Sequence, residues 1–170
     1  MRHINETLLG AKKLLIRNTI FGVEDSLVST VGLLSGIAVA GVPTETIILT
    51  GIILIFVEAL SMGAGSFLSE QSVQEYALGN HNGSITAIRG GIIMFFSYFL
   101  AGFIPLSPYL FLPSTEALLS SVGISLLALF LLGAVFARLF KAKIVGSGVR
   151  MLVVGGLAIL IGILIGGFVQ

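Results

Sequence analysis

The sequence predicts an all-α integral membrane protein: five transmembrane helices behind an N-terminal amphipathic helix in the membrane interface, N-terminus cytoplasmic, C-terminus outside. Three observations carry this expectation. Of the 170 residues, 56% are hydrophobic and only 10% charged, where a soluble domain carries about 25% charged residues. The apolar residues gather in five continuous runs of roughly 20–24 residues, the length at which a helix crosses a hydrocarbon core of about 30 Å. Threaded back and forth, these runs put all nine lysines and arginines on one side, the side that the positive-inside rule assigns to the cytoplasm.

Residues 1–19 form the most polar stretch. Leu8, Leu9, Leu14, Leu15 and Ile16 make an apolar set, and Lys12, Lys13 and Arg17 a basic one, the pattern of a helix lying among anionic headgroups. No small-residue cleavage site follows, so this is not read as a cleaved signal peptide. The remainder, 20–170, reads as one domain with spans near Ile20–Ala40, Glu45–Leu68, Ser84–Leu106, Thr115–Phe136 and Gly148–Phe168. Continuous apolarity excludes a barrel, whose strands alternate. The breaks at Gly41-Val42-Pro43, residues 79–83, Pro105 to Pro113 and Lys141 to Gly148 carry turn chemistry. Gly32 and Gly36 are four apart in span one, as are Gly162 and Gly166 in span five. That spacing lets backbones approach closely in lipid, either within one subunit or across a dimer seam.

Composition also excludes functions. With no cysteine, disulfides, thiolate metal sites and thiol catalysis are out. A net charge of +1 makes no case for nucleic acid. The length leaves no room for a soluble catalytic domain, and His3 and His81, the two histidines, fall outside the spans, so no buried serine–histidine pair forms. The protein is not expected to be an enzyme.

Three carboxylates fall inside the spans: Glu24, Asp25 and Glu58. Each would cost about 3 kcal/mol at a helix centre if charged and unpaired, and no lysine or arginine lies deep in any span to pair with them. A bound cation or a proton is the natural partner. At 1.5 Å of rise per residue, Asp25 lies roughly 7 Å and Met62 roughly 9 Å from the cytoplasmic side, with Glu58 one turn deeper. Glu58 and Met62 share a helix face, as do Asp25 and Ser29. Two antiparallel neighbours would present all four to one cavity. Oxygen donors suit hard divalent ions, and a thioether biases toward softer ones; the mixed set points to Fe²⁺ or Mn²⁺ as cargo, with no resident cofactor. Glu24 is also read as a headgroup-level residue and Met62 as a packing residue.

These residues carry a resemblance. Gly22-Val23-Glu24-Asp25-Ser26-Leu27-Val28-Ser29-Thr30 resembles the first-span signature of the vacuolar iron transporter family, and Ser61-Met62-Gly63-Ala64-Gly65-Ser66-Phe67-Leu68 is similar to its second-span motif. Weaker likenesses follow at Gly102 to Leu106 and Leu152 to Ala158. The resemblance implies five spans, a cytosolic N-terminus, a homodimer, and export of Fe²⁺ or Mn²⁺ from the cytosol in exchange for protons, with Asp25 and Met62 as transport residues. Glu58 is chosen on depth and charge instead. Plant and fungal members carry an acid-rich helical insert after span two. Here that connection is short and offers Glu70, Glu75 and His81, with Glu70 and Glu75 as a possible cytosolic entry point or merely a solvated helix end. Short loops suggest a prokaryotic plasma membrane. The residues also accommodate a proton-coupled carrier of a small organic cation, with Phe95, Phe96, Tyr98 and Phe99 along its route, or a non-transporting assembly subunit.

Overall fold

The computed structural model describes residues 2–78 and 85–169, with side chains for residues 12–76 and 85–169. The expected turn at 79–83, His81 within it and the side chain of His3 lie outside the described residues. Five helices run back and forth: α1 (Arg2–Val39), α2 (Thr44–Leu78), α3 (Ile85–Leu106), α4 (Ser114–Leu139) and α5 (Ile144–Val169), with one 3-10 turn at Ser107–Leu110 before α4. Each contains a stretch long and apolar enough to cross a membrane: Lys12–Val39, Thr44–Tyr76, Ile85–Leu110, Ser114–Leu139 and Ile144–Val169. The chain is a multi-pass helical membrane protein.

The stretch expected to form a separate interfacial helix is instead the first half of α1, which runs unbroken from Arg2 to Val39. Its 38 residues make a rod of about 57 Å, well beyond a hydrocarbon core of about 30 Å. Asn18 and Thr19 look like a break but do not cap anything. Thr19 Oγ1 donates back to the Leu15 carbonyl at 2.9 Å, and the Asn18 side chain reaches α2 and α3. The second helix likewise continues past the expected end at Leu68 to Leu78.

The first helix is the centre of the bundle. It packs against α3 on one flank and α5 on the other; α2 lies outside α3, and α4 against α5 and α1. In lipid no hydrophobic force drives helices together, so close approach of small residues does the holding. On the α1–α5 seam a Cβ added at Gly162 would stand 2.1 Å from the Gly32 carbonyl oxygen, and one at Gly166 2.0 Å from that of Gly36. Both four-residue glycine pairs are therefore used on each other, within one chain.

Two turns share one design. Gly41, at φ 74°, ends α1, with Gly41 N donating to Ala38 O at 3.1 Å and Val42 N to Ile37 O at 3.3 Å. Lys141, at φ 55°, ends α4 with the matching pair, Lys141 N to Arg138 O at 3.4 Å and Ala142 N to Ala137 O at 2.8 Å. The left-handed residue lets two last-turn carbonyls find donors. Lysine occupies in the second turn the position glycine holds in the first. The end of the bundle where α1, α3 and α5 begin is its basic end, carrying Lys12, Lys13, Arg17, Arg89, Arg138, Lys141, Lys143 and Arg150, all exposed.

Candidate functional site

The site stands on a regular register. The first and third helices run parallel with contacting residues 72 apart: Asn18 Nδ2 donates to Gly90 O at 3.0 Å, and Ser26 Oγ donates to Tyr98 O at 2.6 Å. Between these rungs the Met94 sulfur lies 3.2 Å from where a Gly22 Cβ would stand. Successive rungs are four residues, about 6 Å, apart.

The second helix, antiparallel, adds one residue to each rung. Ser66 Oγ accepts from Asn18 Nδ2 at 2.7 Å. One turn away from the basic end stands Met62, level with Gly22 and Met94, and one turn further Glu58, level with Ser26 and Tyr98. Two glycines hold α2 this close to α3: a Cβ at Gly63 would fall 3.1 Å from the Gly91 carbonyl oxygen, and one at Gly91 2.8 Å from that of Gly63.

The third rung concentrates the charge. Asp25, adjacent to Ser26, and Glu58 are half-buried and interact electrostatically across the α1–α2 gap; both charges also reach the Tyr98 hydroxyl. Tyr98 is fully buried and its hydroxyl hydrogen-bonds Ser29 Oγ at 2.7 Å. Glu24, the neighbour of Asp25 on α1, feels the charge of Asp25, and the two line a cavity of about 200 Å³ with Phe21, Val28 and Val154. The charges that act on Glu24 and Asp25 are those of other carboxylates. Among the described residues no three acids or histidines gather closely enough to hold a metal ion on their own.

The structure thus sets Asp25 within electrostatic reach of Glu58 and of its neighbour Glu24, and holds Ser29, one turn along α1, against Tyr98. Depth counted from the span ends puts Asp25 beside Met62; in the folded chain Asp25 is level with Glu58 instead. Met62 lies one turn nearer the basic end, on a groove of about 590 Å³ that it shares with Asn18, Ser61, Ser66 and Met94. Glu70 and Glu75 are not brought to the site or to each other. They stand on the extension of α2, where Glu70 Oε1 accepts from Gln74 and Glu75 Oε1 from Gln71, each at 2.8 Å. Phe95, Phe96 and Phe99 form an aromatic ladder with Phe56 and Phe103. Tyr98 alone of that run turns to α1.

Sequence reasoning missed Asn18, Met94 and the role of Tyr98. Only the shared spacing of 72 residues would have signalled them, and that spacing is a tertiary fact. Chemically, Asp25 and Glu58 offer two carboxylates at one level, with the Ser29 and Tyr98 hydroxyls bonded to each other about a turn along α1, donors that suit a hard or borderline cation.

Comparison with known proteins extends this. The sequence matches the VIT family over residues 16–83 and 73–167, two stretches that overlap where α2 ends. It is 24% identical to vacuolar iron transporter 1 of Tulipa gesneriana over 203 residues, covering 84% of this chain and 82% of that protein. It is 23% identical to vacuolar iron transporter 1 of Oryza sativa subsp. japonica, covering 84% of this chain and 81% of that one. Both alignments run longer than this whole chain of 170 residues, so the relatives carry stretches without a counterpart here.

Proposed function

This chain belongs to the VIT family, and on that premise we propose that it is a metal-ion transporter moving Fe²⁺ or Mn²⁺ out of the cytosol in exchange for protons. The observation that carries the reading is the pairing of Asp25 with Glu58: two half-buried carboxylates from neighbouring helices, at one level inside the spans, with only other acids acting on Asp25. Two like charges at that depth do not stay charged without a cation. A divalent ion neutralises both; when it leaves, protons take its place. This charge requirement is what supports exchange over uniport.

Each residue then has a task. Asp25 and Glu58 supply the anionic oxygens. Ser29, held by Tyr98, stands beside them as a hydroxyl donor set in position. Met62 offers a thioether as the ion approaches, and Glu24 adds negative potential at the rim. The basic end faces the cytosol by the positive-inside rule, so ions enter from the side of Asn18 and Met62. Glu70 and Glu75, on the extension of α2, are acids on that side. A single chain leaves Asp25, Glu58 and Glu24 half-open at membrane depth, so a homodimer with the two acidic faces opposed would complete the ligand set and shield them from lipid. The two stretches of the family match meet at the end of α2, where the resemblance places the helical insert of the plant members. A short chain without them fits a prokaryotic plasma membrane.

The test is flux into proteoliposomes under a gradient of Mn²⁺ or Fe²⁺, with a pH dye trapped inside. Metal entry with opposite proton movement supports the exchange. Metal entry without it would reduce the protein to a uniporter, and no flux of either ion would refute the reading.

A further inference from the structure

The transport reading leaves the turn between α4 and α5 without a task. Arg138, Lys141, Lys143 and Arg150 gather there, and the sequence from Ala117 to Gln170 holds no aspartate or glutamate. Glu24, on the α1 helix that α5 packs against, feels the charge of Asp25 and not that of Arg150. The positive-inside rule explains why these cations lie on one side. It does not explain why four meet on one turn, or what Lys141 does there. Lys141 ends α4 at φ 55°, the left-handed conformation that Gly41 takes in the matching turn. A residue with a Cβ is strained in that conformation, so lysine gives up stability that glycine would keep. A residue held against its backbone preference calls for a task for its side chain.

The surroundings name it. Every residue from Arg138 to Gly146 is exposed. Between the cations stand Leu139, Phe140, Ile144 and Val145, each 44–69% exposed. Cations beside bare hydrocarbon, at the rim of two spanning helices, match the two halves of a phospholipid: anionic headgroup and acyl chain. Lys143, whose carbonyl accepts from Ser147 N at 3.0 Å as α5 begins, and Arg150 are seven residues apart, two turns along one face. Gly146 lies between them, and a Cβ there would meet only the Lys143 Cβ, at 3.8 Å. That leaves about 10 Å of open backbone between two cations, room for a headgroup phosphate. Just below the turn the helices are held close: a Cβ at Gly133 would stand 2.7 Å from Ser147 O, and one at Gly148 2.6 Å from the Phe130 ring.

We propose that the α4–α5 turn binds an anionic phospholipid, with Arg138, Lys141, Lys143 and Arg150 on the headgroup phosphate and the exposed apolar side chains against the acyl chains. The lipid supplies the negative charge that this corner of the chain lacks, and it anchors α4 and α5 at headgroup level. The inference stands whatever ion the protein moves.

The experiment follows melting of the purified full-length protein in a neutral detergent while phosphatidylglycerol or phosphatidylcholine is titrated in. A ligand at about a hundred times its dissociation constant raises the melting temperature of a chain this size by about 5–10 °C. A rise of that order is expected with phosphatidylglycerol, and none with phosphatidylcholine or inorganic phosphate. Lys141→Gly should lose most of the rise, as should Lys143→Gln combined with Arg150→Gln. The glycine variant separates binding from folding, because without lipid it should melt above wild type and yet respond less. Lys12→Gln with Lys13→Gln, at the same end on α1, should keep the full response. A full response in the α4–α5 variants would overturn the site, and an equal loss in the α1 variant would reduce it to the diffuse field of the basic end. No rise with phosphatidylglycerol, or an equal rise with phosphatidylcholine or inorganic phosphate, would overturn the anionic lipid as its ligand.

Discussion

Replacing Gly162 by alanine tests the packing that holds the bundle together. The new methyl would stand 2.1 Å from the Gly32 carbonyl oxygen and 3.0 Å from its carbon, against 3.4 Å or more for ordinary contact. The obstacle is backbone, so no rotamer change relieves it, and α5 must back away from α1 by about 1 Å. Overpacking of this kind costs about 1–3 kcal/mol, and a clash with rigid backbone on both sides belongs at the upper end. Alanine recovers about 1 kcal/mol through helix propensity. The net loss is roughly 2 kcal/mol, a fall in melting temperature of about 4–8 °C for a chain of this size. Gly156 and Gly167, on the same helix, have nothing within 4 Å of an added Cβ, so alanine there should be neutral or slightly stabilising. Thermal unfolding of the purified protein in one detergent reads all three variants. A Gly162→Ala protein that melts with or above Gly156→Ala would refute the claim that these glycines join α1 to α5.

Other outcomes follow from the same geometry. Tyr98→Phe removes the hydroxyl bonded to Ser29 and should cost about 1 kcal/mol, read in the same melting assay, with a change in flux if Ser29 is thereby released. Lys141→Gly relieves a left-handed residue and should raise stability by about 1 kcal/mol, while Gly41→Ala should lower it by about as much; opposite signs in paired melts check this. Glu58→Gln should end metal flux while leaving the folded protein intact, and wild-type flux in that variant would remove Glu58 from the site.

Much of this was legible in the sequence, for identifiable reasons. Five long apolar runs leave no alternative to spanning helices, and Asp25 and Glu58 stand out because charge inside such runs is costly. The continuity of α1 was not legible. Lys12, Lys13 and Arg17 beside leucines look like an interfacial helix, and only the bonds of Asn18 to α2 and α3 show that the same helix carries on into the bundle. Depth was misjudged by about a turn, because counting from the ends of apolar runs treats those ends as level. The second helix runs on to Leu78, and the contact of Asn18 with Ser66 sets the true level. Met94 looked like one more apolar residue of a helix rich in them. Its place in the site comes from the parallel α1–α3 register, to which no local pattern testifies.

The most direct test of the account is whether Asp25 and Glu58 act on one ion. Mn²⁺ flux into proteoliposomes would be measured for wild type, Asp25→Asn, Glu58→Gln and the double variant, each checked for intact folding by its melt. Two ligands of a shared ion form a unit, so their losses do not add. The account predicts that either single substitution removes the flux as completely as both together. Independent, additive losses, or wild-type flux in either single variant, would contradict it.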